Sequence, residues 1–152
     1  MSKAFFLTLL FLTAFTQAQD IPPMNSKYLL DIEDIFDESE EKTLKQLLKK
    51  TSKIKNDHIY ILTVPDIGSF EDFEKYAYAV SNQWKLGPKG LLIVMSKNKR
   101  QIRIETSTEI WPRLSNEECQ SIIINQIVPR FKEGKYYEGI KKGLVNIAEE
   151  LK

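Results

Sequence analysis

The sequence predicts a three-layer α/β/α sandwich built on a small mixed β-sheet. Two runs rich in β-branched, aromatic and large aliphatic residues, His58–Val64 (HIYILTV) and Leu91–Met95 (LLIVM), read as buried strands. An amphipathic stretch of helical period lies between them, a strand–helix–strand unit that gives a parallel pair by right-handed crossover. Helical patterns also precede the first run and follow the second, so both faces of the sheet are covered. The chain has 152 residues, 42% hydrophobic and 28% charged, with six glycines and six prolines. That is the composition of one folded domain and excludes disordered, collagenous and low-complexity architectures.

The elements follow in chain order. Met1–Lys3 is short and positive, Ala4–Phe15 (AFFLTLLFLTAF) is an uncharged, mostly apolar run, and Thr16-Gln-Ala18 offers small residues where a signal peptidase reads. Residues 1–18 are therefore expected to be a secretory signal peptide, because the run falls short of the roughly 20 residues that span a bilayer. Cleavage leaves an exported chain, periplasmic or secreted, with no membrane span in the mature chain. Residues 19–27 hold two prolines and are expected to be a flexible leader. Residues 28–152 form the domain.

Asp37 with Glu40 three residues on is a capping box, and Leu44, Leu47, Leu48, Thr51 and Ile54 then recur at helical spacing until Asn56-Asp57. After the first strand, Ser69 is the expected N-cap of a helix carrying Phe70, Phe73, Ala77, Val80 and Trp84 on one face. The second strand is followed by a turn at Ser96–Lys99. A hairpin partner then runs from Gln101 to Thr106, with Ile102 and Ile104 inward and Arg103 outward. Ser115 and Glu118 form another capping box, opening a helix with Cys119, Ile122, Ile123 and Gln126 on one face, which Pro129 ends or kinks. The last helix spans Tyr136–Leu151. Its Gly139 and Gly143 are expected to let it lie close to the sheet.

One cysteine, Cys119, excludes a disulfide framework and multi-cysteine metal sites, and its apolar helical face assigns it to the core. One histidine, His58, excludes a histidine metal cluster. The 22 Lys and Arg against 21 Asp and Glu become 21 of each without Lys3. Residues 20–75 carry 13 acids and 8 bases, residues 76–152 the reverse, so the two halves are net −5 and +5. A neutral total argues against nucleic acid as a partner.

An ordered set of residues resembles a known family. It comprises Asp31 ahead of the capped helix, Trp84 with Gly87 three residues on, Arg100-Gln-Ile-Arg-Ile104, Leu114-Ser-Asn116, Ile127-Val-Pro129-Arg-Phe131, Gly134-Lys-Tyr136, Gly139 and Gly143. From about Tyr28 to Leu151 the chain resembles the TPM domain of thylakoid-lumen photosystem repair proteins, exported bacterial proteins and an animal receptor-auxiliary protein. The resemblance implies an α/β/α sandwich and an exported location. It also brings calcium binding, reported for some members, and a phosphatase activity assigned to the family. This chain departs from the family where those activities would sit. The Gly-aromatic-Gly-Leu-Glu stretch is Ser107–Trp111 here, Leu-Thr-Asp has become Leu114-Ser-Asn116, and the polar loop before the second strand is cut to Leu86–Gly90.

Calcium takes six to eight oxygen ligands. The candidate ligands are Asp31 and Asp34, with Glu109 and Asn116 joining them if their loops converge, and such a site would bind Ca2+ weakly. Candidate partner contacts are Trp111, beside Pro112, and the basic hairpin residues Arg100 and Arg103; with Lys97 and Lys99 they could hold an anion. No phosphatase nucleophile motif is present: Cys119 lacks a Cys-x5-Arg pattern and there is no Asp-x-Asp-x-Thr. The expected function is a noncatalytic interaction or assembly-maintenance module in the cell envelope, with an envelope protein as partner. The alternative is a metal-assisted acid phosphatase.

Overall fold

The computed structural model describes residues 20–152. The expected signal peptide and cleavage point lie outside the described residues. Four strands form one sheet: β1 (Leu29–Asp31), β2 (His58–Thr63), β3 (Gly90–Ser96) and β4 (Gln101–Thr106), in the spatial order β1-β2-β3-β4. The first three are parallel and β4 is antiparallel to β3. The helices are α1 (Glu38–Lys55), α2 (Phe73–Gln83), α3 (Asn116–Ile122), a π-helical turn (Ile123–Ile127), α4 (Val128–Lys132) and α5 (Tyr136–Glu150).

Strand periodicity divides the core in two. Ile59 and Ile61 of β2, Leu91, Ile93 and Met95 of β3 and Ile104 of β4 point to one face, where α1, α3 and α5 contribute Leu44, Leu48, Cys119, Ile140, Leu144 and Ile147. Leu62, Leu92 and Val94, with Val64 just past β2, point to the other face, where α2 supplies Phe73, Tyr76, Ala77 and Val80. The α/β/α sandwich therefore stands as the sequence predicts. Since α1 and α2 lie on opposite faces while β1, β2 and β3 step in one direction, the two crossovers have opposite hands. The usual right-handed preference is met by only one of them.

Several local features differ from expectation. β1 is an added strand: three residues are too few to show a period, and its place comes from pairing Leu29, Leu30 and Asp31 with Ile61, Leu62 and Thr63. Residues 20–22, read from sequence as loose leader, are held. Ile21 is buried in the α2-side core, the Pro22 carbonyl accepts the Trp84 indole N–H at 2.8 Å, and the Asp20 carboxylate accepts from the Ser69 backbone N–H and hydroxyl. Ser69 is thus engaged with Asp20, and Asp72 caps α2 instead, accepting from Lys75 N at 2.7 Å. Of the two outcomes expected at Pro129, an end or a kink, the helix does not end there but is interrupted just before it. A proline cannot donate to the carbonyl four residues back, and the helix passes through the π-turn before resuming as α4. Gly139 and Gly143 admit a close neighbour, but that neighbour is Ile127 and Phe131 of the π-turn and α4 rather than the sheet.

Candidate functional site

The carboxyl ends of the parallel strands form one end of the molecule, the usual place for a ligand in an open α/β sheet. Asp31 ends β1 there. One of its carboxylate oxygens accepts from the backbone N–H groups of Ile35 (2.9 Å) and Phe36 (2.8 Å), and the other accepts the Thr63 hydroxyl proton. The same hydroxyl oxygen accepts from Glu33 N at 3.1 Å. Glu33 reaches across to the β3–β4 turn, its two oxygens accepting from Lys97 N (2.8 Å) and Asn98 N (3.1 Å). Asp37 and Glu40 close the capping box at 2.8 and 3.0 Å. Each of these carboxylates is occupied with orphan backbone donors. Asp34 is exposed and sits in the left-handed region, φ 53°.

Glu109 and Asn116 lie at the other end. Ser107 N donates to the Gly90 carbonyl at the start of β3 and Glu109 N donates to Pro88, whereas Asp31 is level with Thr63 and Met95. Gly90 and Met95 are five residues apart on one strand, about 16 Å at 3.3 Å per residue. The loops do not converge, and Asp31 and Asp34 are not brought together with Glu109 and Asn116. Among the described residues no cluster of three or more His, Cys, Asp or Glu could hold a metal ion.

The three candidate partner contacts are also dispersed. Trp111 is exposed beside the Ser107 loop. Arg103 lies on the α2 side of β4, bonded to Glu74 of α2 at 3.2 Å and to Glu105 at 3.5 Å. Burial raises the Glu105 carboxyl pKa despite this arginine. Arg100 closes the β3–β4 turn with φ 54°. Cys119 is buried and its thiol is pushed up to about 12 by desolvation, so it is core and not a nucleophile.

What the structure assembles at the strand-end is a cleft of about 560 Å³ between the β3–β4 turn, α4 and the loop before α5. Lys97, Arg100 and Lys132 line it, and Ile102, Val128, Phe131 and Tyr136 form its apolar wall. Tyr136 packs on Phe131 with ring centroids 4.9 Å apart, and Lys97 Nζ stands 5.2 Å over the Tyr136 ring, within cation–π range. No carboxylate lines the cleft. Sequence reading found Lys97 and Arg100 but missed Phe131, Lys132 and Tyr136. Their one local signal was aromatic–basic interleaving in Arg130-Phe131-Lys132 and Lys135-Tyr136. The sequence also gave no hint of the Arg113–Asp57 pair. The Arg113 guanidinium grips the buried Asp57 carboxylate at 2.7 and 3.1 Å and donates to the Leu151 carbonyl at 3.2 Å.

Fold and site define a small α/β/α domain with a mixed four-stranded sheet and a basic, aromatic-walled cleft at its strand-end. The chain belongs to the TPM domain family, whose model matches residues 29–150. Three solved structures share the fold. The N-terminal domain of a protein from P. gingivalis is 24% identical with a TM-score of 0.76, the match covering 81% of this chain and 80% of that one. The BA42 protein of the psychrophilic bacterium Bizionia argentinensis is 21% identical with a TM-score of 0.69, covering 79% and 83%. The N-terminal domain of the cg2496 protein of Corynebacterium glutamicum is 13% identical with a TM-score of 0.63, covering 86% and 80%. No curated protein matches the sequence.

Proposed function

We propose that this TPM domain is a noncatalytic interaction or assembly-maintenance module, exported to the cell envelope, that engages an envelope protein. The observation that carries the reading is the use of the strand-end carboxylates. Asp31, Glu33 and Asp37 hold backbone donors of their own loops and the adjacent turn, which leaves them ill-placed to organise a metal or a hydrolytic water. Export rests on the expected signal peptide. Within residues 20–152 no helix is long and apolar enough to cross a membrane. Divalent-cation binding is expected at exposed carboxylates such as Asp34, with millimolar affinity. A Kd of about 1 mM adds about 0.4 kcal/mol at 1 mM calcium, worth about 2 °C in melting temperature.

The test is a phosphomonoesterase assay on protein carried through two orthogonal purification steps, beside Asp31→Asn. No turnover is expected from either, and Asp31→Asn should show a capping-scale loss of stability of about 1 kcal/mol. Turnover that follows the protein through both steps and disappears in Asp31→Asn overturns the reading.

A further inference from the structure

We propose that the strand-end cleft, together with the open edge of β4, docks an extended acidic segment of a partner protein. The proposal rests on the binding-module reading and names the class of ligand. Its first support is charge. Lys97, Arg100 and Lys132 project around one cavity, and among the described residues none of them is paired with a carboxylate. The nearest acids in sequence and contact are committed elsewhere: Glu33 to the turn's backbone N–H groups and Glu133 to Lys135 at 2.6 Å. The contrast is the groove of similar size beside α1, whose lysines share its walls with Glu38 and Glu41; there Lys45 is already bonded to Glu41.

The second support is the apolar wall. Ile102, Phe131 and Tyr136 offer contact area that a small hydrated anion does not use, whereas a peptide presents apolar side chains beside its carboxylates. The third is continuity with a sheet edge. Gln101 and Ile102, which line the cleft, are the first two residues of β4. β4 is the last strand of the sheet, and its outer row of backbone groups has no hydrogen-bond partner among the described residues. An extended segment can therefore add to β4 through main-chain bonds while its acidic end sits among the three cations. Edge pairing gives affinity without sequence selectivity; the cations select for acid.

The experiment titrates 15N-labelled protein with an acetylated, amidated peptide alternating Glu and Val and ending in Asp-Phe-Asp. Amide resonances of residues 97–106 and 131–136 should shift together. The isosteric Gln/Asn peptide should bind at least about tenfold more weakly, and so should the acidic peptide against the double variant Arg100→Glu with Lys132→Glu. Lys42→Glu with Lys49→Glu, the same charge change in the other groove, should bind as the parent does. N-methylating a central valine amide, then the amide of the adjacent glutamate, which points to the opposite edge of an extended segment, should cost about tenfold at whichever of the two faces β4. Shifts that map elsewhere, equal binding of the neutral peptide, or indifference to both N-methylations overturns the proposal. So does inorganic phosphate that saturates the same resonances as tightly as the peptide, which makes the cleft a small-anion site. Each of these results leaves the noncatalytic reading standing, since turnover tests it separately.

Discussion

Asp57 is the one charged side chain among the buried residues described, at 2% exposure. Its two oxygens face the fork of Arg113, a bidentate geometry that lysine cannot reproduce. The pair ties the entry of β2 to the loop after β4 and, through the Leu151 carbonyl, to the end of α5. Arg113→Ala would leave a buried carboxylate uncompensated. The expected cost is about 3 kcal/mol, with Arg113→Lys intermediate, read by chemical denaturation; a loss under 1 kcal/mol would show that water reaches Asp57. Cys119 gives a pH prediction. Burial raises its pKa from 9.0 to about 12, outweighing the nearby Arg103, and burial likewise raises Tyr76 from 10.0 to about 12. Both groups are neutral in the native state and ionise more readily when unfolded. Their contribution is thus complete below about pH 9 and is lost as pH rises toward 12. Stability should fall across that window, and fall less steeply in Cys119→Ala. Native protein should also resist thiol reagents that label it at once in denaturant.

The α5 glycines set two opposed effects against each other within a single element. Alanine at either position gains about 1 kcal/mol of helix propensity. At Gly139 the new methyl would sit 2.7 Å from the Phe131 ring and 3.1 Å from the Ile127 backbone oxygen; at Gly143 it meets Ile127 side-chain atoms at 2.6 and 2.8 Å. A backbone atom and a packed ring yield less readily than an aliphatic chain end, and overpacking costs about 1–3 kcal/mol. Gly139→Ala should therefore destabilise by more than Gly143→Ala, and the reverse order in thermal melts would show that α4 moves freely. Elements whose signals are local were readable before the structure. The Asp37 and Ser115 capping boxes, the left-handed Asn56 that ends α1, and β2, β3 and β4 all declare themselves within a few residues. β1 did not, because its evidence is its neighbour β2. The N-cap of α2 was misread because Ser69, a good cap by type, is claimed by Asp20, 49 residues away. The candidate site was legible only as a basic hairpin. Its aromatic wall arrives from some thirty residues further on, and the role of Glu33 depends on a turn 64 residues away.

At the scale of the whole molecule, the acidic and basic halves meet across the fold: Arg113 with Asp57, Arg103 with Glu74, and the turn at Lys97 and Asn98 with Glu33. Two of the eight ion pairs among the described residues cross between the halves and the other six stay within one half, so most of the charge split persists in the fold, and the cleft gathers three of the unpaired cations. The two faces of the sheet are unequal. Twenty buried residues cluster on the α1/α5 side and eleven on the α2 side, so each residue of the thinner layer carries a larger share of it. Ile21 is one of the eleven and comes from the strap before β1, which also satisfies the Trp84 indole through Pro22. Ile21→Ala should cost about 2–3 kcal/mol. The loss should fall unevenly: α2 amides should exchange faster with solvent while α5 amides keep their protection, because the α1/α5 core is untouched. Trp84 and Tyr60, whose rings pack edge to face at 6.3 Å, provide a second readout in tryptophan fluorescence. If α2 and α5 instead lose protection in step, the two faces open as one unit and the strap stabilises the whole sandwich rather than its α2 layer.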